Sequence, residues 1–387
     1  MNVCIGNNTA LVICNLAKVP IVIDDEERIA MLSLSLIKGI GPVNARKILA
    51  EFGEATAFFK AWDKGKNTLL RNGPLHNANI VSARREAEKE FRQTEKHHIR
   101  VLSLNEGEYP RRLRACDDSP LVLFTRGQMD LNAPRIVALV GTRKATPYGC
   151  EMAEALVHEL HQLNACLVSG LALGIDSAAH RAADARHIQN VGVLAHGLDA
   201  VYPPGNCMLA KSMEQFGGLV SEFCTQTRPD RSNFPMRNRV IAGLSDAVVV
   251  VEAATTGGAL ITAGYANGYH RDVFAVPGRI GENTATGCNQ LIRNNKAALL
   301  SRASDLGWYM GWEKAAETTS ETKKTPRLSP DEETMAQLLR KGISELDEIA
   351  HQAGWAVSKT SATLLSMEFQ GFLRSLPGKK YELTGQV

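Results

Sequence analysis

The sequence predicts an α/β chain built on an open, doubly wound, mostly parallel sheet, with a helical segment before it and a small winged-helix segment after it. Three observations carry that reading. Six apolar runs of strand length recur across residues 110–312, separated by helical stretches. The runs are apolar throughout instead of alternating with polar residues, which is the pattern of strands buried on both faces. Glycine turns stand at the ends of several runs, where a strand hands over to a helix.

In order, the strands are RIVALVG (135–141), ACLVSG (165–170), VGVLAHG (191–197), LVSEF (219–223), AVVVVEA (247–253) and DVFAVP (272–277). The stretches EMAEALVHELHQL, DSAAHRAADA, NCMLAKSMEQFG, NRVIAGLS and GALITAGYANGY lie between them and read as helices.

Residues 26–105 read as a helical domain. Ile29, Leu32, Leu34 and Leu36 lead into LIKGIGPVNARKILAEFG, with the turn KGIGP (38–42) between two helical runs. Gly39 and Gly41 permit a tight hairpin, and Pro42 suits the first turn of the next helix. This is the pattern of a helix-hairpin-helix, SAM-like motif, whose free amides at a helix start can accept a backbone phosphate. The other reading is a hairpin that needs glycine for its conformation alone. No second GIG occurs in 60–95.

Residues 106–312 hold the sheet. Residues 313–329, EKAAETTSETKKTPRLS, are polar with no apolar period and read as a linker. Three short helical patterns and the hairpin LRSLPGKKYELT then fill 330–387, a winged helix with Ser358–Gln370 in the recognition position. Lys359 is the one basic residue of that helix, so a protein-contact role stands beside a DNA-reading one.

A length of 387 residues suggests two or three domains, and 44% hydrophobic with 22% charged residues is a globular composition. The net charge of +3 neither demands nor excludes a nucleic-acid partner, so any basic surface is local. Eight cysteines form no CxxC pair, which predicts reduced, mostly buried thiols, no metal site and a cytoplasmic protein. Residues 1–25 read as an extension. Their apolar stretch TALVICNLAKVPIVI (9–23) has no preceding Lys or Arg, is interrupted by Asn15 and Lys18, and is too short to span a bilayer.

In a doubly wound sheet, ligands bind off the carboxyl ends of the strands. Those ends read Gly141-Thr142-Arg143, Ser169-Gly170, His196-Gly197, Glu222 and Thr255-Thr256-Gly257-Gly258, a glycine-rich rim suited to an anion. GTRKATPYG and GLALG are not GxGxxG, and no GxxxxGK[ST] occurs, so dinucleotide and P-loop nucleotide sites are not indicated. In SGLALGIDSAAH (169–180), Asp176 reads as a helix N-cap and His180 follows it, but no positioned nucleophile accompanies the pair.

The stretch FPMRNRVIAG (234–243) carries the main signal. Ser232 or Asn233 can cap a helix and Pro235 fits its first turn. Arg237 and Arg239 then lie near a helix N-terminus, where two cations are misplaced by about 0.3–1 kcal/mol each unless an anion joins them. Arg228 and Arg231 add to the cluster, and Phe234 offers an aromatic face beside it, a combination that holds single strands without reading sequence. The competing reading is arginines paired with nearby acids, with Phe234 in the core.

The motifs VGTRKATPYG, VSGLALGIDSAAH, VLAHGLDAVYPPGN, LVSEF, NFPMRNRVIAGLSDAVVVVEA, TTGGALITA, VFAVPG and GCNQLI, preceded by YPRRLRACDDSPLVLFTRG, closely resemble the DNA-processing protein A family (DprA/Smf) in the same order over almost all of 109–312. The resemblance implies a Rossmann-like fold and a non-enzymatic recombination mediator without cofactor. Such a protein binds incoming single-stranded DNA during natural transformation, protects it, helps load RecA, and forms a homodimer through the Rossmann-like domain. It implies a DNA pocket of Gly141, Thr142, Arg143, Ser169, Gly170, Phe234, Arg237, Asn238 and Arg239, with Phe234 contacting a base.

Departures are local. GTR replaces the commoner GSR, a histidine stands in VLAHG where a small residue is usual, TTGG replaces SG, and ADARHIQN lacks the usual ending before its strand. The alternative class is a nucleotide-processing enzyme like the phosphoribohydrolases, although TTGGALITA lacks the acidic residue that would follow its glycines. A third reading is an adaptor acting through 330–387.

Overall fold

The computed structural model describes residues 24–64, 79–313, 329–369, 372–376, 378 and 380–383. The N-terminal extension up to residue 23 and nearly all of the linker therefore lie outside the described residues. The chain divides into two compact units, Met1–Ala316 and Glu317–Val387.

Among the described residues, the first unit begins with four helices, α1 (Asp25–Leu36), α2 (Pro42–Phe52), α3 (Ala55–Asp63) and α4 (Ile80–Lys96). Asp24 starts α1 by accepting the Glu27 amide at 2.9 Å. The Glu27 carboxylate in turn accepts the Ala55 and Thr56 amides at 2.7 and 2.9 Å, so one buried side chain caps the start of α3. The α1–α2 turn has Gly39 at φ 88°, a left-handed conformation that glycine adopts freely, and Gly41 as the N-cap before Pro42. These helices pack on the sheet edge. Arg28 of α1 pairs with Glu106, and Glu90 of α4 accepts the Thr225 amide and hydroxyl, the latter at 2.8 Å.

The sheet follows with β1 (Arg100–Ser103), a short helix α5 (Arg111–Arg114), β2 (Val122–Gly127), β3 (Ile136–Val140), α6 (Pro147–Gln162), β4 (Cys166–Ser169), α7 (Ile175–Asp184) and β5 (Asn190–Leu194). It continues through α8 (Cys207–Met213), β6 (Gly217–Ser221), α9 (Asn233–Leu244), β7 (Ala247–Val250), α10 (Gly258–Gly268), β8 (Asp272–Ala275), α11 (Asn283–Arg293), β9 (Ala298–Leu299) and α12 (Asp305–Tyr309). The strand order is β1-β2-β6-β5-β4-β3-β7-β8-β9, antiparallel between β1, β2 and β6 and parallel from β6 onward. All six expected strands are present. The antiparallel pair β1–β2 and the two-residue β9 extend the sheet beyond them.

Alternate residues of the central strands feed two cores. Ala138, Val140 and Val168 pack with α9 and α10, whereas Val137, Leu139 and Leu167 pack with α6 and α7. The central strand β3 has β4 on one side and β7 on the other, and the chain reaches them by connections that leave in opposite directions. This is the switch point of a doubly wound sheet, and a crevice opens there at the carboxyl ends of the strands.

The second unit has α13 (Pro330–Arg340), α14 (Leu346–Ala353), α15 (Val357–Phe369), and the antiparallel pair β10 (Leu373–Leu376) and β11 (Lys380–Leu383). Ser329 and Glu332 form a reciprocal capping box at the start of α13. Met335, Ile349, Leu364, Met367 and Phe372 make its core. Three helices and a hairpin constitute a winged helix.

Candidate nucleic-acid interface

A cavity of about 410 Å³ occupies the β3–β7 crevice. One wall is the strand end Val140–Gly141–Thr142–Arg143, another is Phe234, Arg237 and Asn238 of α9, and a third is Ala253–Ala254 with Thr256–Gly257–Gly258. Arg231, Ala172 and Asp176 are also on the lining. The structure thus brings together Gly141, Thr142, Arg143, Phe234, Arg237 and Asn238 from separate sequence motifs.

Each wall is shaped by close packing. A Cβ on Gly141 would lie 2.4 Å from the Ile175 side chain, and one on Gly170 would lie 2.6 Å from Arg237 Nη1. Gly257 differs, because a Cβ there would meet nothing within 4 Å and would project into open space. Gly257 is the N-cap of α10 and supplies no side-chain hydrogen bond. Gly258 and Ala259 of its first turn line the cavity, and the first amides of a helix have no intrahelical acceptor, an arrangement that favours an anion.

The arginines divide into three kinds. Arg143 is exposed and its guanidinium lies 4.9 Å from the centroid of the half-buried Phe234 ring. Arg237 is 5% exposed and also lies over Phe234, at 5.8 Å. Its Nη1 donates to the carbonyls of Gly170 and Val193 at 2.5 Å each, capping the ends of β4 and β5, and its Nε donates to Asn238 Oδ1 at 3.2 Å. Burial lowers the Arg237 guanidinium to about 10, with Asp176 opposing the shift, so it stays charged near neutral pH. Asn238 in turn donates to the Gly258 carbonyl at 3.1 Å and ties α9 to the α10 turn.

Arg239 is placed elsewhere. It is buried against Glu222 and donates to the Asp118 carbonyl, and it does not line the cavity. The expectation of a phosphate-facing Arg239 is therefore corrected. Two residues apart on a helix is a turn of roughly 200°, so Arg237 and Arg239 point to different sides. Ser169 is also withdrawn from the surface, fully buried with its hydroxyl donating to the Leu139 carbonyl at 2.5 Å. Gly170 contributes through its carbonyl and through the space it leaves for Arg237.

Asp176 is the second residue of α7, whose N-cap is Gly174, and not the N-cap itself. Its carboxylate accepts the Gly170 and Ala172 amides at 3.2 and 3.4 Å. Burial raises its pKa while Arg237 opposes that rise. His180 is fully buried, with Nδ1 against Asn190, and burial lowers it to about 4. Each is thus engaged by the fold, Asp176 by two backbone amides and His180 by Asn190. Ser232 is the N-cap of α9, but its hydroxyl is directed to Asp230 and not to the helix.

Net charge in the cavity follows from these residues. Asp176 offsets Arg237, which leaves the exposed Arg143 and Arg231 and the α10 amides as the excess positive potential. The Thr256–Gly258 turn carries no charge and so gave no signal beyond its glycines. Its pocket role depends on a Cβ-free surface that only the fold reveals. In the winged-helix unit, Lys359 pairs with Asp331 at 2.9 Å and sits 3.8 Å from the Trp355 ring centroid. Among the described residues no helix is long and apolar enough to cross a membrane.

A doubly wound, mostly parallel sheet with a glycine-walled crevice at its switch point, bordered by exposed arginines, defines a Rossmann-like fold. The chain belongs to the DNA recombination-mediator protein A family, whose model matches residues 100–310, and a DprA winged-helix model matches residues 319–379. The protein Smf of Synechocystis sp. is 31% identical over 92% of this chain and 99% of its own length. The DNA processing protein DprA of Bacillus subtilis is 39% identical over 52% of this chain and 69% of its own. Among solved structures, DprA from Streptococcus pneumoniae aligns with a TM-score of 0.57 at 28% identity, covering 71% of this chain and 99% of that one. DNA processing protein A from Helicobacter pylori, described for its single-stranded DNA binding mode, aligns with a TM-score of 0.51 at 28% identity, covering 56% and 97%.

Proposed function

We propose that the chain is a single-stranded DNA-binding recombination mediator that carries no catalytic activity of its own. It protects incoming DNA in the cytoplasm during natural transformation, acts as a homodimer through its Rossmann-like domain, and helps load RecA. The observation that carries this reading is the Arg143–Phe234 stack at the mouth of the crevice, beside the α10 amides. Arg143 and Arg231 hold phosphates together with those amides, and Phe234 receives a base. Gly141, Thr142, Gly170, Arg237 and Asn238 shape the wall, Ser169 supports it from below, and Arg239 maintains the fold. The Gly39–Gly41 hairpin is a further backbone contact, with Gly41 starting α2 without a side-chain cap.

An enzymatic reading finds less support in the same geometry. Asp176, the acid lining the cavity, is engaged by two amides and faces Arg237. Fluorescence anisotropy with a labelled single-stranded oligonucleotide and its duplex, at several salt concentrations, tests the proposal. Preference for the single strand with affinity falling as salt rises supports it. Salt-insensitive binding, or hydrolysis of a nucleoside monophosphate that depends on Arg143, contradicts it.

A further inference from the structure

A second, larger depression of about 820 Å³ lies on the same carboxyl rim, on the α6 side of the sheet. Thr146, Pro147 and Tyr148 form one wall, and Pro277, Gly278 and Arg279 form the other, with the start of α11 closing it. Tyr148 is 49% exposed, and Ile280 beside Arg279 is 100% exposed. Such apolar surface so near a charged crevice belongs to neither core of the sheet.

One ridge joins this groove to the crevice. Arg143 and Thr146 are three residues apart, a span of at most about 10 Å of extended chain. Glu252 straps the ridge from both sides. Its carbonyl accepts the Thr142 amide at 2.8 Å on the crevice side. Its buried carboxylate accepts the Thr146 amide and hydroxyl at 3.0 and 2.5 Å on the groove side. Gly149 packs against that carboxylate so closely that a Cβ would lie 2.5 Å from it. The far wall is equally fixed. Asn289 holds Gly278 by hydrogen bonds at 2.9 and 3.2 Å, and the Ala253 amide donates to the Thr284 carbonyl at 2.7 Å.

Charge runs along the same path. Lys144 sits on the ridge and Arg279 on the far wall, both exposed. Glu282 is the acid on the lining, so the route from Arg143 over Lys144 to Arg279 stays net positive. A surface that alternates guanidinium or ammonium groups with an exposed ring and prolines suits a polyanion whose bases stack and whose phosphates are gripped without sequence readout.

We infer that the groove is a second single-strand subsite, in which nucleotides leaving the Arg143–Phe234 crevice cross the Lys144 ridge and stack on Tyr148, with Arg279 holding a phosphate. This rests on the proposal that the crevice binds single-stranded DNA. The test is equilibrium binding of oligothymidylates of about 4 to 16 nucleotides, the range of sites in single-strand grooves, to the full chain and to Tyr148→Ala, Arg279→Ala and Arg143→Ala. Wild-type affinity should rise with length. Tyr148→Ala and Arg279→Ala should bind the shortest oligomer like wild type and lose the increment with length, by about 5- to 150-fold for Tyr148→Ala at the longest. Arg279→Ala should also lower the salt slope by about 0.7, whereas Arg143→Ala should weaken every length. Variants that follow wild type at all lengths, or lose affinity equally at all lengths, overturn the groove and leave the crevice standing. A wild type that binds none of the oligomers overturns both.

Discussion

The Arg143 guanidinium stands 4.9 Å from the centroid of the Phe234 ring, although 91 positions of sequence separate the two residues. A base that stacks on Phe234 meets a ring already engaged by a cation, so the two side chains bind DNA as a unit. A double-mutant cycle on single-strand affinity with Arg143→Ala, Phe234→Ala and the double variant should show a coupling of about 0.5–3 kcal/mol. Strict additivity would show that they act at separate places.

Arg239 should behave oppositely to Arg143. Its buried contact with Glu222 serves the fold, and removing one member of a buried pair costs about 3–5 kcal/mol. Denaturant melts of Arg239→Ala should show that loss. Arg143→Ala, taken from an exposed position, should unfold within about 0.5 kcal/mol of wild type. Equal stabilities for the two variants would contradict a structural role peculiar to Arg239.

Two glycines of the rim should separate in the same manner. Gly170→Ala places a methyl 2.6 Å from Arg237 Nη1 and 2.8 Å from the Asp176 carboxylate, so it should destabilise the protein and disturb the pocket together. Gly257→Ala meets nothing within 4 Å and adopts an extended backbone at φ 160°, so its cost should stay near about 1 kcal/mol or below. Its methyl fills the space an anion needs, and single-strand affinity should fall in a protein that melts almost normally. A Gly257→Ala variant with undiminished affinity would exclude the α10 turn from the interface.

Acid should weaken the fold through His180. Burial depresses its folded pKa to about 4 from the ordinary value of 6.5, so between these values the unfolded chain binds more protons than the folded one. The contribution is fully present above pH 6.5 and is lost as pH falls toward 4, up to about 3 kcal/mol. Asp176 acts in the opposite sense, since burial raises its pKa and protonation relieves that penalty. Thermal melts of wild type and His180→Gln across this window isolate the histidine. The difference between them should shrink on acidification, and a constant difference would contradict the assignment.

The parallel core was readable because its strands are apolar on both faces, as in AVVVV at 247–251, and because glycines punctuate their ends. The edge strands were harder. Arg100–Ser103 is short and begins with a charge, and Ala298–Leu299 has two residues, too few to show a period. At the site, Phe234 and Arg143 could be named from their motifs, but their contact could not, because it arises from the docking of α9 beside the β3 end. Arg237 and Arg239 look equivalent in MRNRV. Their separation into a pocket wall and a structural ion pair depends on which strand ends and loops each side of α9 faces. The neutral Thr256–Gly258 turn gains its meaning only from the empty space beside Gly257.

The most direct measurement of the central claim is the salt dependence of single-strand affinity for wild type and Arg143→Ala under identical conditions. Phosphate binding at the crevice mouth predicts a negative slope of log affinity against log salt in the wild type. It predicts a slope shallower by about 0.7 for each phosphate that the variant no longer neutralises. Parallel slopes with equal affinities would contradict it, because Arg143 would then hold no phosphate and the crevice would not be the DNA site.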